Sequence, residues 1–271
     1  MTRLRTEWIT YMLDGMEDYN RNLKEKTGMD LCMLAADLFG ASDKTVQEAQ
    51  ENSRVAVIPI TQGEGIIGSF SESVAAIVRS MGFSAEVMEH TDVDGIYEAL
   101  RGGFTLLFFA DDVRYLALNV CENKYSDNNY ATALGFIRVL FAMMKKAGRD
   151  PRKEEILQIG YGIVGKEAAK ILSQMGISFV LYDKDPSALK NYRGKILENS
   201  ERIKDYSFIL DFTNEGGWLC REDLQEGVLY VSPGVPYSMN EEAAAFFEAS
   251  SVHDNLEIGT AVMLGQSLWG K

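Results

Sequence analysis

The residues best suited to chemistry are Gly160-Tyr161-Gly162-Ile163-Val164-Gly165, a G-x-G-x-x-G turn, and Asp183, which lies 21 residues beyond Gly162 (183 − 162). Each part has its own physical task. Gly160 permits a tight turn after a strand, Gly162 lets the backbone approach a pyrophosphate, and Gly165 lets a helix pack closely on that strand. The helix N-terminus, with the N–H groups of Ile163, Val164 and Gly165, offers unpaired donors and a positive dipole end to phosphates. A carboxylate at Asp183 is placed to accept ribose hydroxyls and to repel a 2′-phosphate. This is dinucleotide-binding chemistry, with NAD preferred over NADP. Lys184 beside Asp183 weakens that preference slightly.

Two more glycine-rich stretches follow later strands. Thr213-Asn214-Glu215-Gly216-Gly217 and Ser232-Pro233-Gly234-Val235-Pro236 could pass backbone near the nicotinamide half of the cofactor, with Thr213 and Pro233 in contact. Ordinary turns explain them as well.

In the first half, ligands of an open α/β sheet are expected at the carboxyl ends of strands. Three loops qualify. Thr61-Gln62-Gly63-Glu64-Gly65, with Ser69, Ser71 and a helix N-terminus behind it, suits a substrate carboxylate. Asp111-Asp112 follows a strongly apolar run, with Asn119 downstream. Asn128-Asn129 opens a long helix. Adjacent carboxylates on an extended chain face opposite ways, so one of the two is expected in the site. Asp111, nearer the strand end, is the candidate catalytic residue, able to pair with a substrate ammonium or take its proton. A helix N-cap is the alternative role. His253, near the final strand, reads as structural rather than as a proton donor.

The elements that must position these residues alternate in βα fashion. An amphipathic helix is expected over 4–23 and another over 29–39. A buried strand follows at 54–60, then a helix from Ser69 with a Ser69/Glu72 capping box, a strand at 85–88, a helix at 95–100 and a strand at 104–109. A polar loop at 119–129 precedes a long helix over 130–147. Gly148-Arg149-Asp150-Pro151 breaks that helix and separates residues 1–150, a helical and α/β substrate domain, from 151–271, a Rossmann dinucleotide-binding domain. In the second domain strands are expected at 155–159, 178–182, 195–197, 208–212, 228–231 and near Val252, with a helix over 164–175. An apolar segment, 259–269, is expected to pack back on the first domain. Two unequal doubly wound sheets are the simplest α/β architecture.

The totals agree with an ordinary enzyme. The chain has 271 residues, suited to two domains, and an apolar fraction of 46%, suited to packed cores. A net charge of −13 opposes binding to nucleic acid or anionic membrane surfaces. The three cysteines, Cys32, Cys121 and Cys220, are too sparse for disulfides or a metal site, and two histidines exclude a histidine-rich one. No apolar run reaches the roughly 18 residues of a membrane span, and residues 2–7 carry no signal core. A cytoplasmic protein without a metal is expected, and a homodimer is the usual form of two-domain Rossmann enzymes.

With these residues in view, the sequence resembles the pyrrolysine synthase family. The matching stretches are Val55 to Thr61, Gly65 to Ser73, Ala110-Asp111-Asp112, Asn128-Asn129, the turn from Gly160, Ser232 to Pro236 and Ile258-Gly259-Thr260-Ala261. The resemblance implies NAD-dependent oxidation of the terminal amine in the ornithine part of a dipeptide-like substrate, lysine joined through its ε-amine to 3-methyl-D-ornithine. Ammonia and water are then lost and the ring closes. It implies that Asp111, Asn129 and the Gln62 loop face substrate, and that an N-terminal helix closes over it with Leu4 and Trp8 in contact. The family differs at three positions, with a small hydroxyl residue for Gln62, asparagine for Val113 and histidine for Leu118. The loop at Thr213 also differs. Two other readings keep the glycine turn: an NAD-dependent dehydrogenase of another amine, amino acid or hydroxy acid, and an NAD sensor without turnover.

Overall fold

The computed structural model describes residues 4–270, which form two compact units. The first holds the described residues through Leu23, then Met29–Ala131, then Leu256 onward; the second holds Lys24–Gly28 and Thr132–Asn255.

The first unit is built on a five-stranded mixed sheet. Its strands are β1 (Arg54–Ile58), β2 (Ser84–Val87), β3 (Leu106–Ala110), β4 (Tyr115–Asn119) and β5 (Lys124–Asp127), in the order β2-β1-β3-β4-β5. β1 pairs in parallel with both β2 and β3, whereas β3, β4 and β5 form an antiparallel meander. This corrects the expectation of a doubly wound sheet. Val55, Ala56, Val57 and Ile58 are all buried, as a strand covered on both faces requires. Helices α1 (Met12–Thr27), α2 (Leu31–Phe39), α3 (Asp43–Asn52), α4 (Phe70–Ser80) and α5 (Asp92–Arg101) precede or join these strands.

The helix expected over 4–23 divides. A 3-10 turn covers Thr6–Trp8, Ile9 is fully buried, and α1 starts at Met12. The expected capping box is absent: Ser69 caps α4 in the left-handed region (φ 64°) with no side-chain hydrogen bond. The last helix, α9 (Glu257–Trp269), packs against α2, α4, β4 and β5 within this unit. Its contact with α2 is close enough that a methyl at Gly265 would sit 3.0 Å from the Ala35 Cβ.

The second unit carries six parallel strands: β6 (Glu155–Ile159), β7 (Ser178–Tyr182), β8 (Lys195–Ile196), β9 (Phe208–Asp211), β10 (Leu229–Ser232) and β11 (Ser251–His253). Their order, β11-β10-β9-β6-β7-β8, is the 3-2-1-4-5-6 Rossmann order read from the other edge. The order reverses at β6, so the switch point lies between β6 and β9. The core under this sheet includes Leu157, Ile159, Val180, Ile209 and Tyr230. α6 (Asn128–Lys146) starts in the first unit and continues into the second, and the segment from Gly148 to Pro151 then leads to β6. α7 (Ile163–Gln174) follows β6, and α8 (Glu241–Phe246) precedes β11. Among the described residues no helix is long and apolar enough to cross a membrane.

Candidate functional site

In the first unit a cavity of about 300 Å³ opens at the carboxyl ends of β1 and β3. Its apolar wall comes from Leu4, Ile58, Pro59, Ile60, Ile66, Ile67 and Phe70, and its polar lining includes Glu64, Ser71, Asp111 and Asp112. Among the described residues three carboxylates and no cationic side chain line it, and Asp111 beside an apolar wall suits a ligand with an ammonium group on an apolar stem.

Local hydrogen bonds fix this arrangement. Asp111 begins the tight turn joining β3 to β4, where its Oδ1 accepts the N–H groups of Val113 (2.8 Å) and Arg114 (2.7 Å). The alternative of a helix cap is thereby replaced by a hairpin turn. The other carboxylate oxygen accepts no hydrogen bond among the described residues. The turn also brings Asp112 to the pocket, which corrects the expectation that one of the pair points away: the chain here is bent rather than extended. Asp112 Oδ2 accepts the Glu64 N–H at 2.6 Å and ties down the loop from Thr61 to Gly65. At the other end of that loop, Asp92 accepts the Thr61 N–H (2.8 Å) and hydroxyl (2.6 Å), and these bonds hold its carboxyl below the ordinary range.

α4 points its first turn at the same space through Phe70 and Ser71. The Ser71 hydroxyl has no partner among the described residues, although the residue is only 4% exposed. Phe70 is held edge-on against Tyr115 (5.4 Å between ring centres), and the fully buried Tyr115 hydroxyl meets Thr260 Oγ1 at 2.9 Å. Glu64 and Ser71 come from the loop and helix start expected here, whereas Phe70 and its support from Tyr115 and Thr260 are not foreseen from spacing.

The other candidates are divided between the cavity and more distant places. Leu4 lines the cavity; Gln62 and Ser69 flank it without lining it. Asn129, in the first turn of α6, donates its N–H to Asp127. Asp127 pairs with Leu116, and Leu116 with Phe109, so Asn129 lies at the pocket end of the sheet but two strands away. Asn119 is not brought to the pocket. It stands opposite Leu106 at the other end of β3, is 4% exposed, and bonds Ser267 O, Cys121 N and Glu122 N.

In the second unit the glycine turn has the geometry its spacing predicts. Gly160 takes a φ of +87°. A methyl at Gly165 would lie 2.2 Å from Gly160 O, and the buried Gln158 amide clamps the same turn by donating to Gly160 O (3.0 Å) and Gly165 O (2.7 Å). Gly162 is different. It has an ordinary φ of −70°, and a methyl there would meet no atom within 4 Å. Neither backbone nor packing needs glycine at this position, so the space is what glycine preserves. That space lies at the N-terminus of α7, where the first N–H groups lack helical partners and Ile163 and Val164 flank the opening. The residues therefore fit a pyrophosphate. Asp183 accepts the N–H of Tyr161 (2.7 Å) and of Asp185 (2.9 Å), one on each oxygen, which orients the carboxylate beside the turn and leaves a lone pair on each oxygen.

The loop after β9 is anchored from below. Fully buried Asp211 accepts the Tyr230 hydroxyl (2.5 Å), the Thr213 N–H (2.8 Å) and the Thr213 hydroxyl (2.7 Å), and burial raises its carboxyl above the ordinary range. Thr213 thus turns its hydroxyl away toward Asp211 and Ser238, leaving its backbone as the part able to meet a ligand. A methyl at Gly234 would lie 2.2 Å from Thr213 O, so the Thr213 loop and the Pro233 loop touch through backbone. His253 stacks on Tyr237 (4.0 Å) and its Nε2 donates to Gly234 O (2.8 Å). Burial pushes this imidazole down to about 4. It is neutral and structural.

That depression predicts a pH dependence. The folded value lies below the ordinary 6.5, so the unfolded chain binds the extra proton; stability is full above about 6.5 and falls as pH drops toward 4. Between pH 7 and 5 the parent should lose about 2 kcal/mol more than His253→Gln, read as urea midpoints at the two pH values.

Comparison with known proteins settles the family. The description "Pyrrolysine biosynthesis protein PylD, N-terminal domain" matches residues 9–126. A pyrrolysine synthase of Methanosarcina barkeri (strain Fusaro / DSM 804) is 30% identical over 245 residues, 89% of this chain and 89% of that protein. The chain belongs to the pyrrolysine synthase family. A second pyrrolysine synthase, from Methanosarcina acetivorans, is 29% identical over 261 residues, 93% of this chain and 96% of that one.

Solved structures resemble this pyrrolysine synthase family member in fold. Shikimate 5-dehydrogenase from Thermus thermophilus, in complex with NADP(H) and shikimate, superimposes with a TM-score of 0.50 at 15% identity, covering 80% of this chain and 93% of its own. Shikimate dehydrogenase from Aquifex aeolicus gives 0.50 at 11%, covering 80% and 92%. The expected α/β class with a Rossmann-type sheet is the one observed.

Proposed function

We propose that this chain is an NAD-dependent dehydrogenase that makes pyrrolysine from lysine joined through its ε-amine to 3-methyl-D-ornithine. The observation that carries the reading is the carboxylate-lined apolar cavity in a chain of this family. A substrate of that kind brings ammonium groups on apolar stems, and the cavity has the complementary lining.

The residues divide the work. Asp111, with one carboxylate oxygen held by the turn and the other free, pairs with the ornithine terminal ammonium or takes the proton that it must shed. The Ser71 hydroxyl and the first turn of α4 receive a carboxylate. Ile58, Ile60 and Phe70 keep bulk water from the reacting carbon, and the bonds from Asp112 and Asp92 keep the loop from Thr61 to Gly65 over the cavity. In the second unit the N-terminus of α7 holds the pyrophosphate across Gly162, and Asp183 accepts the ribose hydroxyls. Bound NAD supplies the hydride acceptor for the carbon bearing the terminal amine. The substrate imine then takes up water and releases ammonia to give an aldehyde. The ornithine α-amine condenses with it, one water leaves, and the pyrroline ring is closed.

The test mixes purified protein, NAD and synthetic lysine-Nε-D-ornithine and follows the NADH absorbance band. A rise accompanied by a product of pyrroline mass is expected. Cofactor binding with no rise would leave another amine, amino acid or hydroxy acid as the substrate; binding without turnover of any of them would mean a sensor. The reading also makes the protein a cytoplasmic homodimer, for which sedimentation at twice the 30.2 kDa chain mass is the expected result.

A further inference from the structure

Lys184 follows Asp183 directly, and its ammonium forms an ion pair with the carboxylate of Glu215. The two residues come from different loops: Lys184 stands two residues past the end of β7, and Glu215 four past the end of β9. In the sheet order β9-β6-β7, the strand between them is β6, the one that delivers the glycine turn. The ion pair therefore bridges the two loops that flank that turn, beside the carboxylate assigned to the adenosine ribose. Both side chains remain exposed, Lys184 at 67% and Glu215 at 47%. Neither is needed to fill a core.

Taken alone, a lysine at position 184 works against the selection that Asp183 provides. A flexible ammonium one residue from the ribose site is a ready partner for a 2′-phosphate, and could offset the repulsion from the Asp183 carboxylate. Glu215 occupies that ammonium and adds a second negative charge on the same side. We infer that Glu215 is a specificity-determining residue, which secures the choice of NAD over NADP by holding Lys184 away from a 2′-phosphate. This rests on the proposed dinucleotide site but concerns a residue outside the fingerprint.

The test is binding of NADH and NADPH to the full chain, followed by reduced-nicotinamide fluorescence, without substrate or turnover. Glu215→Gln keeps the shape of the side chain, frees Lys184 and removes one negative charge. NADPH is expected to bind roughly tenfold more tightly than to the parent while NADH stays within about twofold, since a change of charge near an exposed phosphate acts through a high dielectric. The gain should shrink at high salt and vanish in the Glu215→Gln/Lys184→Ala double variant. An unchanged NADPH-to-NADH ratio in Glu215→Gln, with NADH bound as by the parent, overturns the inference and spares the cofactor reading. Failure of the parent to bind either nucleotide overturns both.

Discussion

Asp111→Asn is expected to lower kcat/KM by about a hundredfold or more while leaving the melting temperature within a few degrees of the parent's. The asparagine Oδ1 can accept the same two N–H groups of Val113 and Arg114, so the turn between β3 and β4 survives. What changes is the second oxygen, which becomes an amide NH₂: it carries no charge for an ammonium and takes no proton. Asp111→Ala removes the turn bonds as well and should cost stability, so the asparagine variant is the cleaner measurement. Steady-state rates with NAD and the synthetic dipeptide, beside a thermal melt, decide it. An asparagine variant with full activity would remove Asp111 from the reaction.

The second large effect separates two glycines of one turn. Gly165→Ala should unfold more easily, by about 1–3 kcal/mol, and lose dinucleotide binding, because its methyl would lie 2.2 Å from the carbonyl of Gly160 and must push α7 off β6. Gly162→Ala should keep the parent's stability, since φ there is ordinary and the methyl meets no protein atom, yet weaken NADH binding by about a hundredfold or more, or roughly 3 kcal/mol. Denaturant melts with NADH titrations give both readouts. If Gly162→Ala binds NADH as the parent does, the open space at the head of α7 is not where the pyrophosphate rests.

The contrast between those glycines also explains how much could be read from the sequence. Strands β6 and β7 emerged with their bounds intact, and the turn and Asp183 with them, because each requirement there is local: a short apolar strand, a glycine needing positive φ, a helix start, an acid at the next strand end. α3 escaped because it has no buried residue and so no apolar stripe to reveal its period. β5 escaped for a related reason. It is an edge strand of Lys124-Tyr125-Ser126-Asp127, in which Ser126 alone is buried, and it reads as a polar loop. Missing the hairpin had a cost at the site. Asn119 is expected in the site as the polar residue downstream of Asp111, but β4 runs antiparallel to β3 and carries it to the far end of the sheet. Asp112 was misjudged for the same reason, since alternation of side chains holds along a strand and fails in a turn. Phe70, with Tyr115 and Thr260 behind it, is legible only once α4 is set against the pocket, a long-range fact that spacing does not carry.

The makeup of the first unit has a consequence for how the protein is made. α9 is translated after the whole of the second unit, yet it supplies Thr260 to the Tyr115 hydroxyl and packs on α2, α4, β4 and β5. On the ribosome the second unit is thus free to finish folding first, while the earlier part of the chain waits with an unfilled groove where its final helix belongs. A nascent chain released before α9 would hold the acidic residues of the cavity without the buttress behind Phe70. Such a fragment should present exposed apolar surface to chaperones and proteases rather than linger as a half-active enzyme.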